Sequence, residues 1–535
     1  MRLARLAAPL ALLAAPLMAQ TASSGDYPVE EKSISQLEAA MASGETSSAA
    51  ITQAYIDRIA SLDDAGPTLN AVIALLPGAL DEARTRDRER AAGRIRGPMH
   101  GIPVIVKDNI ETLGPVPTTA GSYALIENVT DRDAPLVAKL RAAGAVILGK
   151  ANLSEWANFR SNDSTSGWSA VGGLTRNPYA LDRNACGSSS GSAVAAAASL
   201  AAGTVGTETD GSITCPASSN GVVGFKPTVG LVSRRFVVPI SHSQDTAGPI
   251  TRTVRDAAIM LGVMAGVDPG DPATAGAAGR VSDYAALLGR GVLKGLRIGV
   301  PRDRVGDDAA LTAQFEQALD LLRAQGATIV DIADSRTGLE DVGDAEFQVL
   351  LSEFKADMAD YLQSLPDNLQ DGGVKAKTLA DLIAFNEADK DRELAYFDQA
   401  LFLQAEETKG LDDPAYLKAR DTAKRLAGRM GIDRILAEGR VTVLALPTRS
   451  PPWLSTLGKG DAYTGPSASG LPAQAGYPHL TVPMGLVGGL PVGISFIGSA
   501  WTDDFLLQVG DAYERASNAR VPPRYLETVG DGDGA

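Results

Sequence analysis

The sequence predicts one large α/β domain in which a β-sheet is covered by helices on both sides. Two observations point there. Short apolar runs of strand length alternate with amphipathic stretches of helical period, the β-α-β order that builds a sheet between helix layers. Although 535 residues exceed what one compact core usually holds, no Pro/Ser-rich linker or long charge run divides the chain in two.

The elements follow in order. Residues 1–19, MRLARLAAPLALLAAPLMA, set Arg2 and Arg5 ahead of an Ala/Leu-rich run that ends at Ala19, the layout of a cleavable export leader. Pro9 and Pro16 interrupt that run, which argues against a buried helix, and its length argues against a membrane anchor. A periplasmic or secreted protein is therefore expected, with the domain spanning 20–535. Helices are expected over 33–62, where Ile51, Tyr55, Ile56 and Ile59 recur at helical spacing. GIPVIV (101–106) and AGAVILG (143–149) read as buried strands, with the helix-like LVAKLRAAG between them. GLRIGV (295–300) and ATIVDI (327–332) are two more strands, and Leu311, Phe315, Leu319 and Leu322 mark the helix that joins them. Residues from about 340 to 438 read as a charged helical insertion near the mouth of a site, its charges a solvated face, before VTVLALP (441–447) resumes the sheet.

Composition removes several functions. The formal charge is −15, and loss of Arg2 and Arg5 with the leader takes it to −17, which disfavours nucleic acid and anionic lipid as partners. No later segment offers about twenty uncharged apolar residues, so no stable membrane insertion is expected. Two cysteines exclude a disulfide-dense scaffold. None of His100, His242 and His479 has a neighbour at metal-ligand spacing, so no metal and no cofactor is expected. A cofactor-free hydrolase or a binding protein remains.

Residues 183–230 concentrate Gly and Ser ahead of an uncharged run, AVAAAASLAA, that belongs in the interior. Small residues let backbone approach backbone or ligand, and a turn before a buried helix aims N–H groups at what lies in front. Upstream, GPMHGIPVIVKDN (97–109) ends a strand on Lys107. At a strand end in a low-dielectric site a lysine has its charged form disfavoured and serves as a neutral base; alone, it would read as a snorkelling surface residue.

Taken together these segments resemble the amidase signature family. GIPVIVKDN carries the strand-end lysine at Lys107, CGSSSGS (186–192) resembles the family's Gly/Ser run, and TETDGSITCPAS (207–218) resembles its nucleophile loop. The resemblance implies a single mixed central sheet flanked by helices. It also implies a nucleophile at Ser212 and a bridging serine, preceded by an unusual cis peptide, at Ser188, the 24-residue separation agreeing with the family. Lys107 would be the base, and the backbone N–H groups of Thr209, Asp210, Gly211 and Ser212 would form the oxyanion hole. SQDTAGPITRTVRDAA (243–258), GLPAQAGYPHLTVPMG and GLPVGISFIG extend the likeness to the C-terminal strands, and it is weakest over 340–438. Cys186 and Ser190 replace glycines common in the family, and Asp210 replaces one just before the nucleophile. ETDGSITCPASSNGVVGFKPTVGLVSR and NLSEWANFRS most resemble the bacterial peptide amidases, which implies hydrolysis of a small-molecule or peptide carboxamide, with C-terminal peptide amides as substrate and ammonia as product.

Rival readings are on the same sequence. Gly187, Ser189 and Gly191 satisfy G-x-S-x-G with His242 or His479 as base, but NPYALDRNAC before them is a turn and not the required strand. Ser352-Glu353-Phe354-Lys355 matches S-x-x-K on what reads as a solvent-facing helix. An amidase for aryl or aliphatic amides would carry the same chemistry on a different acyl group. An exported protein that binds an amide or peptide without cutting it would share the α/β layout and the leader, but would need neither base nor relay. Catalysis by Ser188 and Ser212 would draw Cys186 and Cys215 together; a disulfide is open to them, and two free buried thiols are slightly the more expected.

Overall fold

The computed structural model describes residues 27–366 and 373–530, so the expected leader at 1–19 lies outside the described residues. In chain order the strands are β1 (Val72–Leu75), β2 (Pro103–Lys107), β3 (Val146–Ala151), β4 (Trp168–Ser169), β5 (Gly173–Leu174), β6 (Gly203–Glu208), β7 (Val223–Lys226), β8 (Thr246–Thr251), β9 (Arg297–Pro301), β10 (Thr328–Ile332), β11 (Val443–Pro447), β12 (His479–Val487) and β13 (Leu490–Ile497). Eleven of them form one sheet in the order β1-β3-β2-β6-β8-β7-β12-β13-β11-β9-β10, and β4 and β5 pair separately.

The sheet is mixed. β2 runs parallel to β3 and β6, and β9 parallel to β10 and β11, while β6-β8-β7-β12-β13-β11 are joined by antiparallel pairs. Every residue of β2, β3 and β6 is buried, as expected of strands covered by helices on both faces. Helix Ser190–Ala197, all eight residues buried, packs on β6 and β8, and helix Asp503–Ser517 packs on β12. The small side chains of SGSAVAAA allow that approach: a Cβ on Gly191 would collide with the Ala71 carbonyl oxygen.

The expected strands appear within a few residues of their sequence positions, and the helical stretch 33–62 divides into Ile34–Ser43 and Ser48–Leu62. Ser33 and Gln36 close a capping box at the first start, and Gly44 at φ +77° ends that helix.

The charged stretch departs from its solvated reading. Helix Val342–Ser364 is followed by Leu379–Ala388, Lys390–Glu393, Ala400–Glu406 and Pro414–Lys424, the last continuing through a π-type segment, Arg425–Ile432, into Asp433–Gly439. A second apolar core joins Phe354, Met358, Leu382 and Phe402 to Trp156 and Phe159 of the body, with edge-to-face ring pairs at 5.7 Å (Trp156–Phe402) and 5.1 Å (Phe159–Phe354). Its acids do not all face water. Glu393 is buried and accepts from Tyr123 N–H at 2.8 Å and Ser122 Oγ at 3.1 Å, and Glu353 is buried and accepts from Ser243 N–H at 3.0 Å and Tyr416 Oη at 2.8 Å. Nor is Ser352 solvent-facing: it is buried, its hydroxyl donates to Gln348 O at 2.9 Å, and Lys355 donates to Glu406 O. The S-x-x-K match is a pair of helix contacts.

Candidate active site

β2 and β6 are parallel neighbours, and their C-terminal ends bring Lys107 and Thr207 together. Lys107 is wholly buried. Its Nζ lies 2.7 Å from Ser188 Oγ, 2.8 Å from Thr207 Oγ1 and 3.4 Å from Thr207 O. Burial pushes the ammonium down to about 7, with the charges of Asp245 and Glu208 opposing that fall. Among the described residues no carboxylate stands within ion-pair distance of it. Asn109, two residues on, donates from Nδ2 to the same Thr207 Oγ1 at 3.0 Å.

Ser188 follows a cis Gly187–Ser188 peptide, as the resemblance implied, in the turn that enters helix Ser190–Ala197. A Cβ on Gly187 would collide with Ser154 Oγ, so a larger residue here would displace that hydroxyl. Ser188 O accepts from Ser154 N–H at 3.0 Å, and Ser189 N–H donates to Ser212 O at 3.1 Å. These bonds bring the two serine segments together. The side chains of Ser188 and Ser212 are not hydrogen-bonded to each other in this structure.

The loop that carries Ser212 turns at Gly211, φ +79°, a conformation glycine adopts freely. Glu208 fixes the far side, its Oε2 accepting from Ile213 N–H at 2.8 Å and Thr214 N–H at 3.0 Å. Thr209 Oγ1 donates to Asp245 at 2.6 Å. The N–H groups of Asp210, Gly211 and Ser212 meet no acceptor among the described residues, so this turn presents donors beside the Ser212 hydroxyl.

Asp210 does not brace its own backbone. Solvent reaches it, yet crowding by protein raises its carboxyl, and its side chain meets Ser469 and Glu346. Glu346, from the helical stretch, is raised well above the carboxylate range by burial and then by the charge of Asp210. Gln244 and Gln474 donate to Glu346 at 2.8 and 2.9 Å.

Cys186 and Cys215 are joined in a disulfide, Cα–Cα 6.0 Å, where free thiols were slightly the more expected. The serine segments that lie together carry the cysteines with them. Cys186 takes φ +54°, a left-handed position suited to the glycine common there.

The histidines stand apart. Ser189 accepts from Thr207 N–H and donates to Thr207 O, so its hydroxyl is committed to backbone and no histidine touches it. His479 begins β12, lies 2.6 Å from Ser495 Oγ, and is pushed down to about 3 by burial. His100 meets Arg86 O at 3.0 Å. The fold does bring acids to His242 that sequence spacing hides: its ring and the oxygens of Glu353 and Asp357 lie within 4.8 Å of one another. The Glu353 oxygens are already taken by Ser241, Ser243 and Tyr416.

Ser212 opens into a cavity of about 180 Å³ walled by Asn158, Asp210, Leu350, Arg449, Trp453 and Tyr463. Residues 50–507 match the family model described as Amidase. The chain belongs to the amidase family. Its fold superposes on the native peptide amidase of Stenotrophomonas maltophilia with a TM-score of 0.88 and 51% identity, covering 93% of this chain and 99% of that one. A peptide amidase bound to the competitive inhibitor chymostatin gives 0.89 and 51%, covering 93% and 100%. A probable amidase of Arabidopsis thaliana is 38% identical over 94% of this chain and 93% of its own. This protein is accordingly an amidase, a hydrolase of the amidase signature fold. Among the described residues no helix is long and apolar enough to cross a membrane.

Thr207, Asn109 and Arg449 were not singled out by the sequence. For the first two a signal was present: Asn109 lies two residues after Lys107, and Thr207 opens the TETDGS segment five residues before Ser212.

Proposed function

We propose that this amidase hydrolyses primary carboxamides at the C-terminus of peptides, through an acyl-enzyme on Ser212, and releases ammonia. The observation that carries the chemistry is the 2.7 Å contact between buried Lys107 and Ser188 without a carboxylate on the lysine. A neutral Lys107 directs its two N–H bonds to the two oxygens of Thr207, which leaves its lone pair for the Ser188 hydroxyl hydrogen. Ser188 then takes the proton of Ser212 as Ser212 attacks the amide carbon, and the reverse path delivers the proton to the leaving nitrogen. The unpaired N–H groups of the Thr209–Ser212 turn meet the oxyanion, each such donor being worth about 3 to 4 kcal/mol. Water attacks the acyl-enzyme with the same base.

Peptide carboxamides are favoured over aryl or aliphatic amides by the similarity to peptide amidases. A catalytic reading is favoured over simple binding because a binder needs neither base nor relay. Export is proposed on the leader-like residues 1–19, with the disulfide in keeping with an oxidising compartment. Ammonia release from a peptide carboxamide, an aryl carboxamide and an aliphatic carboxamide, together with release of a new amino terminus from an internal peptide bond, tests the substrate. The peptide carboxamide is expected to have the highest kcat/KM. A preference above about tenfold for the aryl or aliphatic amide would overturn the peptide assignment, and cleavage of internal bonds would make the protein a protease.

A further inference from the structure

Arg449 follows β11 on the wall of the Ser212 cavity, in a segment pinned by a backbone bridge to Ser467. It is 8% exposed, and its guanidinium lies 3.6 Å from the centroid of the Tyr463 ring and 5.8 Å from that of Trp453. Among the described residues its guanidinium has no hydrogen-bond acceptor and no carboxylate within 4 Å, and Nε is buried without a partner. A guanidinium carries five donors, and leaving them unmet away from water is expensive. Tyr463 supplies a stacking platform that holds the plane of the fork but uses none of its N–H bonds.

The neighbours say what sign of ligand fits. Asp461 lies in the same cavity and its oxygens accept from Ser166 N–H at 3.0 Å and Ser166 Oγ at 2.5 Å; Asp210 lies in it too, bound to Ser469 and Glu346. Arg449 feels both acids without pairing to either. A carboxylate entering here would meet two acids for one guanidinium, whereas a neutral carbonyl oxygen accepts the fork with no new charge.

We infer that Arg449 is a specificity-determining residue that donates to a carbonyl oxygen of the acyl portion of the substrate, one residue back from the scissile carboxamide. The preferred substrates are then N-acylated amino acid amides, the simplest peptide amides. This inference rests on the peptide-carboxamide reading above and names the group that enforces it.

The test compares N-acetyl-leucinamide with 4-methylpentanamide, which keeps the isobutyl group and the carboxamide but lacks the second carbonyl. Arg449→Met keeps a long apolar stem and removes every donor. It is expected to lower kcat/KM for N-acetyl-leucinamide by about tenfold to hundredfold, the range for losing a charged hydrogen bond, and for 4-methylpentanamide by less than about threefold. Arg449→Lys, with its charge but no fork, should fall between. Turnover of 4-methylpentanamide reports that each variant is folded and chemically competent. Equal losses on the two substrates, or none on N-acetyl-leucinamide, would overturn the assignment of Arg449 alone. A wild-type enzyme without preference for N-acetyl-leucinamide would instead overturn the peptide-amide reading and this inference with it. If Arg449→Met does not fold, the Arg449→Lys selectivity decides, and wild-type selectivity in that variant overturns the inference.

Discussion

Two buried lysines end neighbouring parallel strands and have become opposite things. Lys107 closes β2 and Lys150 lies next to the end of β3, one step apart in register, since Lys107 faces Ala151 and Val106 faces Lys150. Both are inaccessible to solvent, and burial lowers both. Lys150 has Asp108 at 3.3 Å, with Ile110 O at 2.6 Å and Thr118 Oγ1 at 2.8 Å, which is a cation locked into the body. Lys107 has only hydroxyls and a carbonyl. Burial is common to both, so in the proposed mechanism the absence of an answering acid is what suits Lys107 to act as a base, while Asp108 makes a strut of Lys150.

The largest expected effect breaks this contrast directly. Ser212→Ala and Lys107→Ala should each reduce kcat by at least about a thousandfold, and Ser188→Ala nearly as much, because groups that act as one relay fail together. Lys150→Met should retain the chemistry in whatever fraction folds. Active-site titration beside steady-state ammonia release separates the two cases. An active Lys107→Ala enzyme would remove the relay.

The same pair sharpens in its pH dependence. With Lys107 pushed down to about 7, the acid limb of kcat/KM should have its midpoint near pH 7, activity rising as the amine loses its proton. For stability the sign is fixed by linkage. The unfolded lysine keeps its ordinary value near 10.5, so below it the unfolded chain binds a proton that the folded chain, down to about pH 7, does not. The penalty is full below pH 7 and disappears toward 10.5. Inactive Lys107→Met should therefore melt above the wild type at pH 7, with an advantage that shrinks toward pH 10. Lys150→Met should do the reverse, since it strands Asp108 in the interior, a loss of about 3 to 5 kcal/mol. Thermal melts of the three proteins at pH 7 and pH 10 decide it.

This contrast also marks what a sequence can carry. GIPVIVK and AVILGK look alike, each an apolar strand running into a lysine, and only the Gly/Ser segment about 80 residues downstream and its family likeness favoured the first. The sheet was legible because each strand advertises its burial locally. The partners of Lys107 were legible only in part: Ser188 came through the family likeness, whereas Thr207 arrives through strand order, which periodicity does not encode. Similarly, Glu353 and Glu393 read as solvated charges because their partners, Ser241, Ser243, Ser122 and Tyr123, are more than a hundred residues away.

A smaller effect is expected at the disulfide, which ties the Ser188 segment to the Ser212 segment across a separation of 29 residues. Closing such a loop restricts the unfolded chain by about 3 to 4 kcal/mol on the chain-entropy account. The Cys186→Ala, Cys215→Ala double variant should melt lower than the oxidised wild type and match the wild type under reductant. Thiol titration of the unfolded, unreduced protein should find none of the two cysteines free; two free thiols would contradict the bridge.

The smallest effect is expected at His242, the histidine nearest to any acid. Its Nδ1 lies 2.9 Å from Asp357, Glu353 is 3.3 Å from Nε2, and Arg234 opposes them; the hydrogen bond it donates to Asp357 leads in raising its pKa, against burial. A raised histidine contributes stability that is complete below its unfolded value of about 6.5 and lost as pH rises through the higher folded value. The ring is 44% exposed, so solvent screening leaves that contribution within about 1 kcal/mol. His242→Gln should therefore melt slightly below the wild type at pH 5.5 and level with it at pH 8.5. Its kcat/KM at pH 8.5 should stay within about threefold, because no proton in the proposed Lys107–Ser188–Ser212 path passes through an imidazole. A folded His242→Gln protein that lost activity as fully as Ser212→Ala would return the G-x-S-x-G serine to contention, and with it a mechanism in which both lysines are only struts.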